Sequence, residues 1–116
     1  MHELGVVFHI IKEVEDVATA NNVKSIKSVT LNIGEVSTIV CSYLEDCWNW
    51  AIKKSDVLKD AKLNINVIKA VTICEDCKKE YETVKFGKTC PYCGSENTYL
   101  KCGNETIIKE IAVQDD

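Results

Sequence analysis

The chain has 116 residues, 46% of them hydrophobic and 28% charged, which suits one compact domain or a core with a small module attached. Its formal net charge of −4 provides no overall positive field, so a general nucleic-acid binder or a protein drawn to anionic membranes is disfavoured. The apolar run "LGVVFHII" is far too short to span a bilayer and has neither a basic segment before it nor a small-residue cleavage site after it. No signal peptide is read, and a cytoplasmic location is expected.

Residues 3–20 carry Leu4, Val7, Phe8, Ile11, Val14 and Ala18 at helical spacing, with Lys12, Glu13, Glu15 and Asp16 on much of the other face. "ANNVKS" ends this helix, because asparagine tolerates left-handed backbone. "SVTLNIG" alternates Val29, Leu31 and Ile33 against Ser28, Thr30 and Asn32, a half-buried strand punctuated by Gly34. Ser42 followed three residues later by Glu45 reads as a capping box, and a second helix is expected over about 42–54. Leu44, Cys47, Trp48 and Ala51 share its buried face, with Tyr43 and Trp50 close by.

"AKLNINVI" predicts a second strand with Leu63, Ile65 and Val67 on one side, and "ETIIKEIAV" a third that ends at Val113. The last strand is too apolar for a free tail and is expected to return to the same sheet. The fold class is therefore α+β, an α/β sandwich with two helices on a three-stranded sheet. The expected domains are an α/β domain over 1–69, completed by 100–116, and an inserted cysteine module over 70–99.

Seven cysteines, an odd number without a secretion signal, argue against a disulfide framework. Four form two pairs, Cys74 with Cys77 and Cys90 with Cys93, twelve residues apart. Each Cys-x-x-Cys offers two thiolates that one ion can bridge, and four such ligands suit tetrahedral zinc. A redox dithiol and iron in the same site are the competing readings. Pro91 stiffens the second turn, and Gly94 suits a left-handed position there. A closed four-thiolate site leaves no room for substrate, so its role is structural. The module's few large apolar residues, Val84, Phe86, Tyr81 and Tyr92, make metal binding its main source of folding energy.

Ribbons of this kind also occur in nucleic-acid binders. Here Lys78, Lys79, Lys85 and Lys88 are balanced by Glu75, Asp76, Glu80, Glu82 and Glu96, which disfavours that role. Cys47 reads as a small hydrophobe, while a functional thiol stays open for Cys41 and Cys102. Trp48 and Trp50 read as core and rim, with a partner-docking patch as the rival. His9 reads as a solvated or half-packed side chain.

His2 offers more than one ligand atom. With Met1 retained, its amine, the His2 backbone nitrogen and the His2 imidazole form fused chelate rings, and the Glu3 backbone nitrogen can supply a fourth position. Deprotonated amides favour square-planar nickel or copper, and chemistry alone leaves both open. A frayed terminal histidine is the bland alternative.

"MHEL", the amphipathic helix, "VTLNIGEVS", the "CxxC…CPYCGS" module and "GNETIIKEIAV" together resemble the HypA/HybF family of hydrogenase nickel-insertion proteins. The resemblance covers essentially the whole chain in order. It implies a non-enzymatic nickel metallochaperone, with nickel bound through His2, Met1 and Glu3 and structural zinc at Cys74, Cys77, Cys90 and Cys93. It further implies a HypB-type GTPase as partner, a nickel–iron hydrogenase large subunit as recipient, urease accessory proteins as further partners, and a monomer or homodimer. No nucleic-acid or membrane partner is expected. The runner-up function is a zinc-ribbon adaptor or nucleic-acid-binding module. The chain departs from many family members at Cys41 and Ser42, where proline and an acidic residue are common, and at Lys78, where the second pair has Gly94.

Overall fold

The computed structural model describes residues 3–113. Its elements are α1 (Glu3–Ala20), β1 (Ile26–Gly34), α2 (Cys41–Ala51), β2 (Lys62–Ile68), β3 (Val71–Cys74), β4 (Glu80–Glu82), α3 (Thr83–Phe86), β5 (Thr98–Cys102) and β6 (Thr106–Val113). The fold is mixed α+β, with two three-stranded sheets ordered β2-β1-β6 and β4-β3-β5. β6 does return to the first sheet, where it lies beside β1. Among the described residues, no helix is long and apolar enough to cross a membrane.

The chain divides into two compact units. Among the described residues, one takes 3–31, 38–66 and 107–113, and the other 32–37 and 67–106. In the first unit α1 packs against α2. Its buried side chains come from α1 (Val7, Ile10, Ile11, Val14, Ala18), from β1 (Ile26, Val29, Leu31), from α2 (Leu44, Trp48, Ala51) and from Leu58 and Ala61. Trp48 is fully buried, and its indole N–H donates to the Ala61 carbonyl at 3.1 Å, so the one polar atom of the ring is satisfied.

The helical face of α1 is narrower than the sequence reading placed it. Ile10 belongs to the core, whereas Leu4 and Phe8 lie 39% and 48% exposed at its edge. The Phe8 ring meets the half-exposed Trp50 edge to face, with centroids 6.4 Å apart. α1 ends as its sequence predicts. Asn22 is left-handed at φ 55°, and the Val23 N–H returns to the Ala18 carbonyl at 2.8 Å, the closing bond of a Schellman turn.

The capping box at Ser42 and Glu45 is not formed. α2 starts two residues earlier than that reading requires, with Val40 in place of Ser42 as its N-cap and no side-chain cap from within the helix. Its α-helical part stops at Ala51, and Ile52–Lys54 tighten into a 3₁₀ turn. Cys47 is half-buried rather than core, and with Leu4, Asp46 and Trp50 it lines a shallow apolar groove. In β2 the alternation holds through Ile65 and then slips. Val67 is exposed, and Ile68 takes the half-buried place.

In the second unit β3 is the central strand, antiparallel to both neighbours. It pairs Thr72 with Tyr81 of β4 and with Leu100 of β5. The partner of Val71 is Cys102, so Lys101 is the extra residue of a bulge. Residues 32–37 form a clasp in this unit. The Gly34 N–H donates to the Glu105 carbonyl (2.7 Å), the Glu35 N–H to the Ile68 carbonyl (2.8 Å) and the Val36 N–H to the Gly103 carbonyl (2.8 Å). The Glu35 carboxylate accepts the Ala70 N–H at 2.5 Å, and the Glu105 carboxylate accepts the Gly103 N–H at 2.7 Å. Both chain segments that lead into and out of the cysteine ribbon are thereby tied to one short loop.

Candidate metal centre

The four paired cysteines converge. The sulfurs of Cys74, Cys77, Cys90 and Cys93 all lie within 4.8 Å of one another. Cys74 and Cys93 are 3.5 Å apart, and Cys77 and Cys90 are 3.6 Å apart. A tetrahedral zinc ion with bonds of about 2.3 Å sets its sulfurs about 3.8 Å apart, so this donor set fits such an ion. Cys74 and Cys90 are buried, and Cys93 faces solvent.

Two turns of the same shape deliver these thiols. In the first, the Lys78 N–H donates to the Cys74 carbonyl at 2.9 Å and the Cys74 N–H to the Lys79 carbonyl at 3.0 Å. In the second, the Gly94 N–H donates to the Cys90 carbonyl at 2.9 Å and the Cys90 N–H to the Ser95 carbonyl at 2.9 Å. The turns are joined by the Ser95 hydroxyl, which donates to the Asp76 carboxylate, and by the Glu75 N–H, which donates to the Asn97 carbonyl at 2.9 Å.

Both turns need a left-handed residue after the second cysteine. Gly94 takes it at φ 76°, whereas Lys78 takes it at φ 64° despite carrying a Cβ. That conformation costs a non-glycine residue about 1–2 kcal/mol. Glycine's greater unfolded freedom offsets about half of this. Lys78→Gly is therefore expected to stabilise the metal-loaded protein by up to about 1 kcal/mol. Denaturant unfolding of zinc-loaded protein checks this, and an unchanged or lower midpoint would contradict it.

Thiols this crowded cannot all ionise unaided. The Ser95 amide favours the Cys93 thiolate, but the Cys74 hydrogen bond, burial and the thiols of Cys90 and Cys77 outweigh it, and Cys93 is pushed up to about 12. Cys90 moves the other way, to about 7. Burial opposes its ionisation, but the amides of Cys93 and Tyr92 and the thiols of Cys77 and Cys93 prevail. Cys77 is raised: the Lys79 amide favours its thiolate, but burial and the thiols of Cys90 and Cys74 win. A divalent cation reverses the balance, since it binds thiolates and expels their protons.

Away from the thiols, Ile33, Ala70 and Thr72 are also buried in this unit. The buried cluster is Cys74, Tyr81 and Cys90, with Cys77 packed against it. Tyr81 donates its hydroxyl proton to the Gly87 carbonyl at 2.9 Å, and its ring meets Phe86 edge on. Val84, Phe86, Tyr92 and Tyr99 are all exposed.

The remaining candidate residues are dispersed. Cys41 opens α2, Cys47 lies at the apolar groove, and Cys102 ends β5 with its thiol 3.5 Å from the Lys69 carbonyl. The His9 imidazole is exposed, 2.8 Å from the Glu13 carboxylate one turn on. Met1 and His2 lie outside the described residues. Glu3 lies within them, and its carboxylate accepts the Val40 N–H at 3.0 Å. Sequence reasoning missed that bond, the Glu35 clasp and the left-handed Lys78. Only Lys78 had a local signal, since it occupies the position after its pair that Gly94 occupies after the other.

The fold and this centre define a small α+β protein with a closed four-thiol metal-type site, carried on a ribbon that leaves the sheet after β2 and rejoins it at β6. The family model described as hydrogenase/urease nickel incorporation metallochaperone, HypA, matches residues 1–113. The chain belongs to the HypA family of nickel metallochaperones. Among its relatives, the hydrogenase maturation factor HypA of Aquifex aeolicus is 34% identical over 116 residues, covering all of both chains. The hydrogenase maturation factor HybF of Proteus vulgaris is 29% identical over 114 residues, 98% of this chain and 100% of that one. The solution structure of the Ni metallochaperone HypA from Helicobacter pylori superposes with a TM-score of 0.75 at 29% identity, covering 100% of each chain.

Proposed function

We propose that this chain binds Ni(II) at its N-terminus and helps to insert it into the nickel–iron hydrogenase large subunit, while Cys74, Cys77, Cys90 and Cys93 hold a structural zinc ion. The observation that carries this reading is the span of the family match, since residues 1–113 take in both Met1-His2-Glu3 and the two cysteine pairs. The chemistry divides the two metals between the two places. Four sulfurs close a tetrahedron and leave no position for an incoming donor, which suits an ion that stays. The Met1 amine, the His2 imidazole and the backbone nitrogens of His2 and Glu3 form a planar set that suits Ni(II) and stays open along its axis. A recipient's donor group can approach there and displace the amine or imidazole, so the cargo leaves by ligand exchange.

In this reading the protein delivers metal in the cytoplasm and catalyses no reaction of its own, with a HypB-type GTPase as its partner. The hydrogenase maturation factors among its relatives favour hydrogenase as recipient, and urease supply is the secondary role.

The test is Ni(II) titration of untagged, zinc-loaded protein. His2→Ala is expected to weaken binding at least about 10-fold, the range seen when a metal site loses a group that holds it together. Extra residues before Met1 should weaken it too, by blocking the amine. Binding releases protons from amine, imidazole and amides, so affinity should fall as pH falls. Unchanged stoichiometry and affinity in His2→Ala would sink the nickel assignment.

A further inference from the structure

α2 enters its first turn without a cap of its own. Its N-cap is Val40, which has no polar side chain, and its first turn contains no acidic residue. Backbone amides at a helix start need acceptors from outside the helix. One comes from a distant part of the sequence. The Val40 N–H donates to Oε2 of Glu3 at 3.0 Å, across 37 residues. Glu3 is also the one acidic residue in the first turn of α1. A single carboxylate thus stands at the start of two helices packed against each other, where both dipoles favour negative charge.

We infer that the Glu3 carboxylate is a positioning group: it caps α2, and through that bond it fixes the Glu3 backbone in the first unit, so that the residue serves nickel through its backbone nitrogen and not through its carboxylate. This rests on the N-terminal nickel site proposed above. In a chain whose α2 has no acidic residue in its own first turn, the chelate and α2 share one anchor. Glutamine at this position keeps an oxygen acceptor on the same stem and loses the charge. Alanine loses both.

The experiment uses the untagged, zinc-loaded full chain with Glu3→Gln, Glu3→Ala and His2→Ala, and it has three readouts: Ni(II) affinity, the Ni(II) absorption band and amide exchange at Val40. Glu3→Gln is expected to keep the band and to stay within about 3-fold of wild-type affinity, since an uncharged acceptor supplies most of a cap. Glu3→Ala should keep the band position, because the ligand atoms are unchanged. Its affinity should fall roughly 10-fold, and exchange at Val40 should speed up by a similar factor. A shifted band in either Glu3 variant would put the carboxylate on the metal and overturn the inference. So would unchanged Val40 exchange in Glu3→Ala, whether or not affinity changed. Wild-type nickel binding by His2→Ala would instead overturn the nickel site itself, and the Val40 exchange rates would still show whether Glu3 caps α2.

Discussion

Stripping metal from the four-thiol centre, or replacing Cys90 with serine, is expected to unfold the second unit and leave α1 and α2 folded. The reason is what the unit lacks. The buried cluster around its thiols is Cys74, Tyr81 and Cys90, two of them cysteines that face the centre, and Val84, Phe86, Tyr92 and Tyr99 are exposed. Strands of three to five residues such as β3, β4 and β5 cannot hold together without a core behind them. Metal in a four-thiolate site contributes folding free energy on the order of 10 kcal/mol, more than this unit can replace by burial. Acid should act in the same direction as a chelator. Cys90 sits at about 7 and Cys93 at about 12, so protons compete for these two sulfurs throughout the range below neutrality. Amide exchange measured before and after chelation checks this. Protection should vanish in β3 to β5 and persist in α1, and protection that survives in β3 to β5 would mean that metal is not what holds the unit.

Gly34→Ala is expected to destabilise the clasp by about 3 kcal/mol or more. An added Cβ at Gly34 would lie 1.9 Å from the Gly103 carbonyl oxygen and 2.4 Å from the Asn104 nitrogen. Both are backbone atoms, so no side chain can swing aside. The two segments would have to part, which breaks the bonds from Gly34 to Glu105 and from Val36 to Gly103. Each contributes about 1 kcal/mol. The melting temperature of metal-loaded protein should fall by roughly 10 °C or more. Gly5→Ala is the matched control. Gly5 lies within α1 with nothing within 4 Å of its added Cβ, and alanine there should stabilise by about 0.5–1 kcal/mol. Equal behaviour of the two variants would mean that the close approach at Gly34 carries no strain.

The elements that could be read from sequence are those whose pattern is local. α1 shows a 3.6-residue period and closes with an asparagine that accepts the left-handed turn, and β1 alternates from Ser28 to Ile33. The cysteine pairs announced themselves by spacing. What escaped was set by contacts distant in sequence or by elements too short to show a period. The start of α2 looked like a capping box at Ser42, yet its acceptor is Glu3, which no window around residue 42 contains. β4 is three residues long and α3 four, too few for any periodicity to show. Lysine disfavours φ 64°, and the one local sign was that Lys78 holds the place after its pair that Gly94 holds after the other. Nothing in the residues around Glu35 shows that its carboxylate holds the Ala70 N–H.

Both tryptophans fall in the first unit, and they occupy opposite environments. Trp48 is fully buried, with its indole N–H bonded to Ala61, while Trp50 is 51% exposed at the groove beside Leu4. The second unit holds tyrosines but no tryptophan, at Tyr81, Tyr92 and Tyr99. The fourth tyrosine, Tyr43, lies in α2, so tryptophan emission belongs to the first unit alone and tyrosine emission comes mainly from the second. Tryptophan light reports on α2 and its surroundings, with a blue component from Trp48 and a red one from Trp50, and tyrosine light carries most of what happens around the thiols. The protein contains its own two-colour readout, in which changes around the four thiols and changes around α1 and α2 can be told apart in one cuvette, with no label attached.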